Sequence, residues 1–487
     1  MTDWTGKRIL ILGAARQGIA LARWMARHGA RVTLSDKRLE TDLEPARQSL
    51  ADLPIEWALG GHPLELLDNT DVLCLSGGVP LTLPIVVEAA RRSLPLSNDT
   101  QVFLEAAPCQ TVGVTGSAGK TTTTTLVGEM AKRSFKSVLP VSAAVALPPA
   151  SSAIAGTTIG GKQSRAFVGG NIGDPLINYL DDMTADDLAI LEISSFQLDQ
   201  MTVSPGVAAV LNITPNHLDR HGTMEAYTAA KARLLDFQRE SDVAILGRDD
   251  PGAWNLRSRV KGKLLSFGLG DLGADQSGVY ARDGLYYLRD GNVELRITSY
   301  ESRFHLRGDH NRQNVLAAIA IGHAAGLSLD AMLEAIDHFH GVPHRLELVR
   351  ELHGVKWYND SIATAPERSM AAVRSFEEPI VLLLGGKDKD LPWEGLAALV
   401  RERVDHVVVF GQAAEKILGA LGKPGSGKRR PFSIQRGGGL AEAIRLAADV
   451  AEAGDVVLLS PGGTSFDEFD DFAERGERFR TWVQELS

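Results

Sequence analysis

"GVTGSAGKTTTTTL", residues 113–126, begins at the end of an apolar strand, places three glycines within seven residues and then sets Lys120 before five consecutive threonines. Glycines let backbone N–H groups converge on phosphate oxygens, and the positive end of a following helix adds to their pull. A lysine at the helix start reaches terminal phosphates, and the next hydroxyl ligates Mg²⁺. The stretch therefore predicts a strand, a phosphate loop around Gly116 and Gly119, and a helix from Lys120 to about Lys132, with Lys120, Thr121 and Thr122 as nucleotide-binding residues. The strict spacing G-x-x-x-x-G-K fails here because residue 114 is valine. It is met at "GKPGSGKRR" (422–430), but a helical pattern precedes that stretch, Arg429 stands where the metal-binding hydroxyl belongs, and Pro431 follows. It reads as an exposed loop.

Outward from the phosphate loop, short apolar runs alternate with helical patterns. "RILILG" (8–13), "QGIALARWMARHGA" (17–30) and "RVTLSD" (31–36) form a β-α-β unit. "LAILEI" (188–193) and "VAAVLNI" (207–213) extend the sheet begun at "TVGVTG" (111–116). "IVLLLGG" (380–386), "HVVVFG" (406–411) and "DVVLLSPGG" (455–463) supply a third sheet. Near-continuous apolar runs of this length are buried parallel strands. At about 100 to 200 residues per domain, the 487-residue chain predicts an α/β protein of three domains. Segment 141–166, rich in small residues and turn formers with no charge before Lys162, reads as a long loop or lid.

The chain has 61 acidic and 51 basic side chains, a net charge of −10, which disfavours nucleic acid and anionic membrane as partners. Cys74 and Cys109 have no metal-binding or disulfide spacing and fit a reducing cytoplasm. Neither an export signal nor an apolar run long enough to span a membrane is evident.

In the first β-α turn, Gly13-Ala14-Ala15-Arg16-Gln17-Gly18 occupies the place of G-x-G-x-x-G, with Asp36 ending the next strand. That suits NAD or another nucleotide diphosphate. Glu192 ends an apolar strand, where a carboxylate is costly unless paired or bound to a cation. His217, in "NHLDRHG" (216–222), follows the next strand. Lys231 shares a helical stripe with Tyr227, Ala230 and Leu234, so it either snorkels to solvent or is kept for chemistry.

Together with "GGNIG" (169–173), "LEISSFQLD" (191–199), "LNITPNHLDRHGTMEAYTAAKARLL" (211–235), "GDHNRQNVLAA" (308–318), "GVPHRLE" (341–347), "YNDSIAT" (358–364), "LLLGGKDK" (382–389) and "SFDEFDDFAERG" (465–476), these stretches make the chain resemble the Mur ligases, and within them the D-glutamate-adding branch. The resemblance implies a Rossmann-like UDP-binding domain over 1–98, a central P-loop-type ATPase domain over 99–341 and a Rossmann-like domain for amino acid and nucleotide over 342–487. It implies that ATP phosphorylates the carboxylate of UDP-N-acetylmuramoyl-L-alanine and that the D-glutamate amine attacks the acyl phosphate. The protein is then expected to act as a cytoplasmic monomer in peptidoglycan precursor synthesis.

The resemblance further implies catalytic roles for Lys120, Glu192, His217 and Lys231, and Mg²⁺ held by Thr121, Glu192, His217 and a carbamylated Lys231. Asn311, Arg345 and Asp360 match nucleotide positions. Asp36 and Ser76 match the UDP pocket, Asn171 and Ser194 the substrate, and Thr364, Lys389, Ser465 and Phe472 the D-glutamate site. Lys120 and Lys389 would lie in different domains, so closure is expected. Departures from the family pattern are Ala15 and Gly77 in the UDP pocket, Asn216 for an aspartate, Ile362 for the lysine of "DSKAT", and "SPGGTSF" for "SPACAS"; segment 141–166 is also longer than is usual. Competing expectations are a ligase for another acceptor, including a folylpolyglutamate-type enzyme, an NAD-dependent oxidoreductase, and a nucleotide-driven binding protein. The "DNPR" of the diaminopimelate-adding type is absent.

Overall fold

Strand Gln110–Thr115 ends where Gly116 turns the chain, and after Gly119 the chain enters helix Lys120–Ser134. The computed structural model describes residues 3–135, 153–154, 158–159, 162–299, 306, 308–422 and 432–487. They divide into two compact units, Met1–Phe339 and His340–Ser487.

The first unit contains two large sheets. One is wholly parallel, in the order Ile55–Leu59, Arg31–Asp36, Arg8–Leu12, Val72–Leu75, Leu96–Ser97. The strand order reverses beside Arg8–Leu12, the arrangement of a Rossmann-like half. Gly18 brings helix Arg16–Arg27 close to this sheet: a Cβ there would stand 1.9 Å from the Gly13 oxygen.

The second sheet has ten strands. Six of them, Lys263–Gly268, Val243–Gly247, Val207–Val210, Gln110–Thr115, Leu188–Glu192 and Ala166–Gly170, run parallel in that order. Gln110–Thr115 lies between Val207–Val210 and Leu188–Glu192, so the phosphate loop, Glu192 and the chain leaving Val210 emerge side by side. Open parallel sheets bind ligands at these carboxyl ends. Gly278–Arg282 adds a further parallel strand, and Leu285–Asp290 and Val293–Ser299 extend the sheet as antiparallel hairpins.

The expectation of a loop over 141–166 is corrected where that segment is described. Ala153–Ile154 pairs antiparallel with Phe167 and Ala166, while Thr158–Ile159 and Lys162–Gln163 pair with each other. The pairing gives the outermost strand partners for backbone groups that a loop would leave unmatched. The remainder of the segment lies outside the described residues. So does the 422–430 loop beyond Gly422, which ends helix Ala414–Leu421 at φ +68°.

The second unit, by itself, is a six-stranded sheet in the order Glu347–Leu352, Val355–Asn359, Val456–Gly462, Ile380–Gly385, His406–Phe410, Ser433–Arg436, parallel except for the first strand. Alternate residues serve opposite layers, as strand geometry requires. Ile380, Leu382 and Leu384 pack with Ile417 and Leu396, whereas Val381 and Leu383 pack with Ile444 and Phe479. Each such side chain contributes about 1.5–3 kcal/mol on full burial. Among the described residues no helix is long and apolar enough to cross a membrane.

Candidate functional site

Glu192, the last residue of its strand, is 2% exposed. One carboxylate oxygen accepts from Thr121 Oγ1 at 2.8 Å and the other from Asn171 Nδ2 at 2.9 Å. Both donors are neutral, so neither forms an ion pair with the carboxylate. Asn171 gets this close because of Gly170: the Asn171 amide donates to Glu192 O at 2.8 Å, and a Cβ on Gly170, at φ +97°, would stand 2.5 Å from that oxygen.

The phosphate loop is braced from the neighbouring strand end. Asn212 Oδ1 accepts from Ala118 N at 2.8 Å, its Nδ2 donates to Ala118 O at 3.1 Å, and its main-chain oxygen accepts from Ser117 N at 3.0 Å. Ser117 Oγ donates to Thr214 O at 2.9 Å and lies 3.0 Å from Tyr227 Oη. Gly119 enters the helix at φ +81°, and a Cβ there would stand 2.2 Å from Asn314 Oδ1. Asn314 Nδ2 donates to Asn311 Oδ1 at 3.3 Å. The amides of Lys120, Thr121 and Thr122 begin the helix and have no intrahelical acceptor, which leaves a positive helix end above the loop.

Lys231, on helix Met224–Asp236, is 1% exposed, which excludes snorkelling. Its Nζ donates to Gly116 O at 3.0 Å and to Thr115 Oγ1 at 3.3 Å, and lies 4.8 Å from the centre of the Tyr227 ring. Burial, followed by the charge of Lys120, pulls its pKa well below that of an ordinary lysine, against the opposing pull of Glu192. A lowered pKa favours release of the proton, and the unprotonated amine is the form that adds CO₂. Lys120 Nζ also donates to Gly116 O, at 2.8 Å.

His217 is exposed, starts helix Leu218–His221 at φ +53°, and meets Phe196 edge-on with ring centres 5.1 Å apart. Thus Lys120 and Lys231 meet on the Gly116 carbonyl, Thr121 and Asn171 meet on Glu192, whose charge reaches Lys231, and His217 stands on the loop after the next strand. Among the described residues no three His, Cys, Asp or Glu side chains gather into a metal cage. A single buried carboxylate beside a threonine hydroxyl nonetheless suits Mg²⁺, which keeps most of its water and takes phosphate oxygens. Ser194 caps helix Ser195–Leu198, its hydroxyl and amide both engaged with Gln197.

In the five-stranded sheet, Asp36 accepts from the Ala14 amide at 2.8 Å and from the Arg38 guanidinium at 2.9 and 3.0 Å. Burial raises its pKa, but these bonds more than offset that and hold the carboxyl well below its usual range. A carboxylate so occupied is a poor partner for a ribose hydroxyl, which weighs against NAD. Ser76 is buried at the end of Val72–Leu75, its amide on Leu12 O.

In the second unit, Lys389 Nζ reaches Thr364 Oγ1 at 3.4 Å. Asp360 is buried, accepting from Ser460 Oγ and the Leu346 amide, while Arg345 is exposed. Ser465 is buried, and Phe472 meets His344 edge-on at 6.3 Å.

Family models match three successive stretches of the chain: a Mur ligase MurD-like N-terminal domain over residues 7–97, a Mur ligase middle domain over 114–322, and a Mur ligase glutamate ligase domain over 344–463. A UDP-N-acetylmuramoylalanine–D-glutamate ligase of Symbiobacterium thermophilum is 36% identical over 481 residues, 99% of this chain and 98% of that one. Its counterpart in Geobacter metallireducens is 37% identical over 483 residues, with 99% and 98% covered. The chain belongs to the Mur ligase family.

Solved Mur ligases share the fold at low identity. MurC of Thermotoga maritima superposes with a TM-score of 0.52 at 19% identity, covering 98% of this chain and 99% of that one. A MurF structure from Acinetobacter baumannii gives 0.52 at 17%, with 99% and 92% covered. This Mur ligase has three domains of α/β type with parallel-rich sheets. Sequence reasoning missed two residues that shape its phosphate loop, Asn212 and Asn314. Both lie inside quoted motifs, and Asn314 is one helical turn from Asn311, but an asparagine's partner across a sheet or helix has no local sequence signal. Arg475 was missed too. It is fully buried and donates to Ser361 Oγ and O and to Gly463 O, joining "DSIAT" to "SPGGTSF".

Proposed function

We infer that this Mur ligase joins D-glutamate to the L-alanyl carboxyl group of UDP-N-acetylmuramoyl-L-alanine at the expense of ATP, as in peptidoglycan precursor synthesis. The names of its relatives support this end to end, and the observation that carries the chemistry is the buried Glu192 carboxylate on the Thr121 hydroxyl, beside the phosphate loop. The reading assigns 1–98 to the UDP moiety, 99–341 to ATP and 342–487 to the amino acid and nucleotide.

The loop amides, the helix start and Lys120 bind and orient the polyphosphate. Mg²⁺, when bound, neutralises charge on the transferring phosphoryl group, with Thr121 and Glu192 to hold it and His217 at its margin. Lys231, enclosed and with a lowered pKa, is chemically suited to carry a carbamate, which would put an anionic group where the ammonium form is cationic. Asn171 and Ser194 are assigned to the muramoyl substrate, and Asp36 and Ser76 to its UDP end. Asn311, Arg345 and Asp360 are assigned to the nucleotide, and Thr364, Lys389, Ser465 and Phe472 to D-glutamate.

Purified protein with Mg-ATP is expected to release phosphate only when both UDP-N-acetylmuramoyl-L-alanine and D-glutamate are present. Release without dependence on the amino acid refutes the reading. Ile362 and "SPGGTSF" favour one second reading, a Mur-type ligase for another acceptor. A screen of D- and L-amino acids separates the two by which one forms an amide.

A further inference from the structure

In the second unit three cations ring the loop 360–364. Arg368 Nη1 donates to Ile362 O at 3.2 Å, and Lys389 Nζ donates to Thr364 Oγ1 at 3.4 Å. Arg345 is held between two further attachments of the same loop: Ile362 N donates to His344 O at 3.1 Å, and Leu346 N donates to Asp360 Oδ1 at 3.3 Å. All three residues are exposed. Among the described residues none of the three forms an ion pair with a carboxylate, and Asp360 is the acidic group whose charge reaches Arg368.

Asp360 itself offers little compensation. Burial pushes its pKa up to about 7 against hydrogen bonds from Ser460 and Leu346 and the charges of Arg345 and Arg368. The cations also work against one another. Although part of each side chain reaches solvent, partial desolvation by the protein around it and then Arg345 lower the pKa of Arg368, and partial desolvation and then Arg368 lower that of Lys389. Three positive groups around a loop whose buried Asp360 is occupied by Ser460 and Leu346 form a receptor for an oxyanion.

Family resemblance accounts for Arg345, Asp360 and Lys389 but gives Arg368 no part. It also places a lysine where this chain has Ile362, the residue whose carbonyl Arg368 holds. We propose that Arg368 is an oxyanion-binding residue of this site, supplying the positive charge that position 362 lacks to a carboxylate of the acceptor amino acid or a phosphate of the nucleotide. With one N–H on Ile362 O, the planar guanidinium keeps its remaining donors for the ligand. The proposal rests on the ligase reading for its substrates.

The test uses the full chain and steady-state kinetics of wild type, Arg368→Gln, Arg368→Lys, and Arg368→Gln combined with Ile362→Lys. Arg368→Gln is expected to raise KM for one substrate, D-glutamate or ATP, by about tenfold or more, with the other within about twofold. The substrate affected identifies the anion. Ile362→Lys should recover most of the loss in the Gln background, and Arg368→Lys should fall between, neither of which a merely structural role would produce. The proposal is overturned if both KM values and kcat of Arg368→Gln stay within about twofold of wild type, or if its loss is confined to kcat with no recovery by Ile362→Lys. If the wild type forms no amide, the ligase reading fails separately, and equilibrium dialysis with ATP and with D-glutamate decides on Arg368: binding of either one weakened about tenfold in the Gln variant supports it, and equal binding of both overturns it.

Discussion

Lys120 and Lys231 donate to the same oxygen, the carbonyl of Gly116, at 2.8 and 3.0 Å. Burial first, and then repulsion from the Lys120 ammonium on the same acceptor, make the enclosed Lys231 release its proton more readily than an ordinary lysine. A carbamate on Lys231 would turn that repulsion into attraction. Lys231→Ala is therefore expected to lower turnover by about a hundredfold or more, with partial recovery on adding bicarbonate. Lys231→Arg places a permanent positive charge there, cannot take up CO₂, and should be as inactive. Full activity in either variant, measured by phosphate release, would exclude the carbamate.

Glu192→Gln preserves the size of the side chain beside Thr121 and Asn171 but removes its charge. Turnover should fall by about a hundred- to a thousandfold, the range for losing a group that stabilises transition-state charge. The melting temperature should change little, since both neighbours remain neutral hydrogen-bonding groups. A variant that turns over normally would show that the carboxylate plays no part with the cation.

Gly119→Ala places a methyl group at φ +81° and 2.2 Å from Asn314 Oδ1. The left-handed backbone alone costs about 1–2 kcal/mol, and the contact adds to it. We expect a lower melting temperature and a raised KM for ATP. Adding Asn314→Gly should relieve the contact and leave the backbone penalty, so the double variant recovers only in part. Complete recovery would mean that the turn is not strained.

Asp99 is enclosed, and among the described residues its Oδ1 has no hydrogen-bond partner. Burial raises its pKa to about 6 against the amides of Thr100 and its own residue, the Gln197 side chain and the charge of Arg16. The folded state thus holds its proton more tightly than the unfolded chain, whose value is 3.8. The stability this gives is complete below about pH 4 and is lost as pH rises through about 6. Asp99→Asn should flatten the fall in melting temperature between those values, and an unchanged slope would assign the titration elsewhere.

The parallel strands were legible because burial on both faces writes a run of apolar residues, and Gly116, Gly119 and Lys120 were legible because phosphate binding needs a local spacing. The antiparallel hairpins of 278–299 were missed although Asp283-Gly284, with both φ values positive at 52° and 72°, is a two-residue hairpin turn. Their alternation is weaker than a continuous apolar run. Glu192, Asn171 and Lys231 were identifiable as residues, but strand order sets Asn171 beside Glu192 and helix packing sets Lys231 on Gly116, and neither has a local sequence signal. The guanidinium of Arg368 escaped notice because a helical arginine reads as a solvated charge until its loop is seen.

The single amide of Asn212 grips both the N–H and the C=O of Ala118, so the curve of the phosphate loop is fixed during folding. A polyphosphate then meets a cradle already shaped, and little chain freedom is surrendered on its arrival. Slackening that grip, as in Asn212→Ala, would shift the ordering to the moment of capture and slow the nucleotide's entry more than its escape.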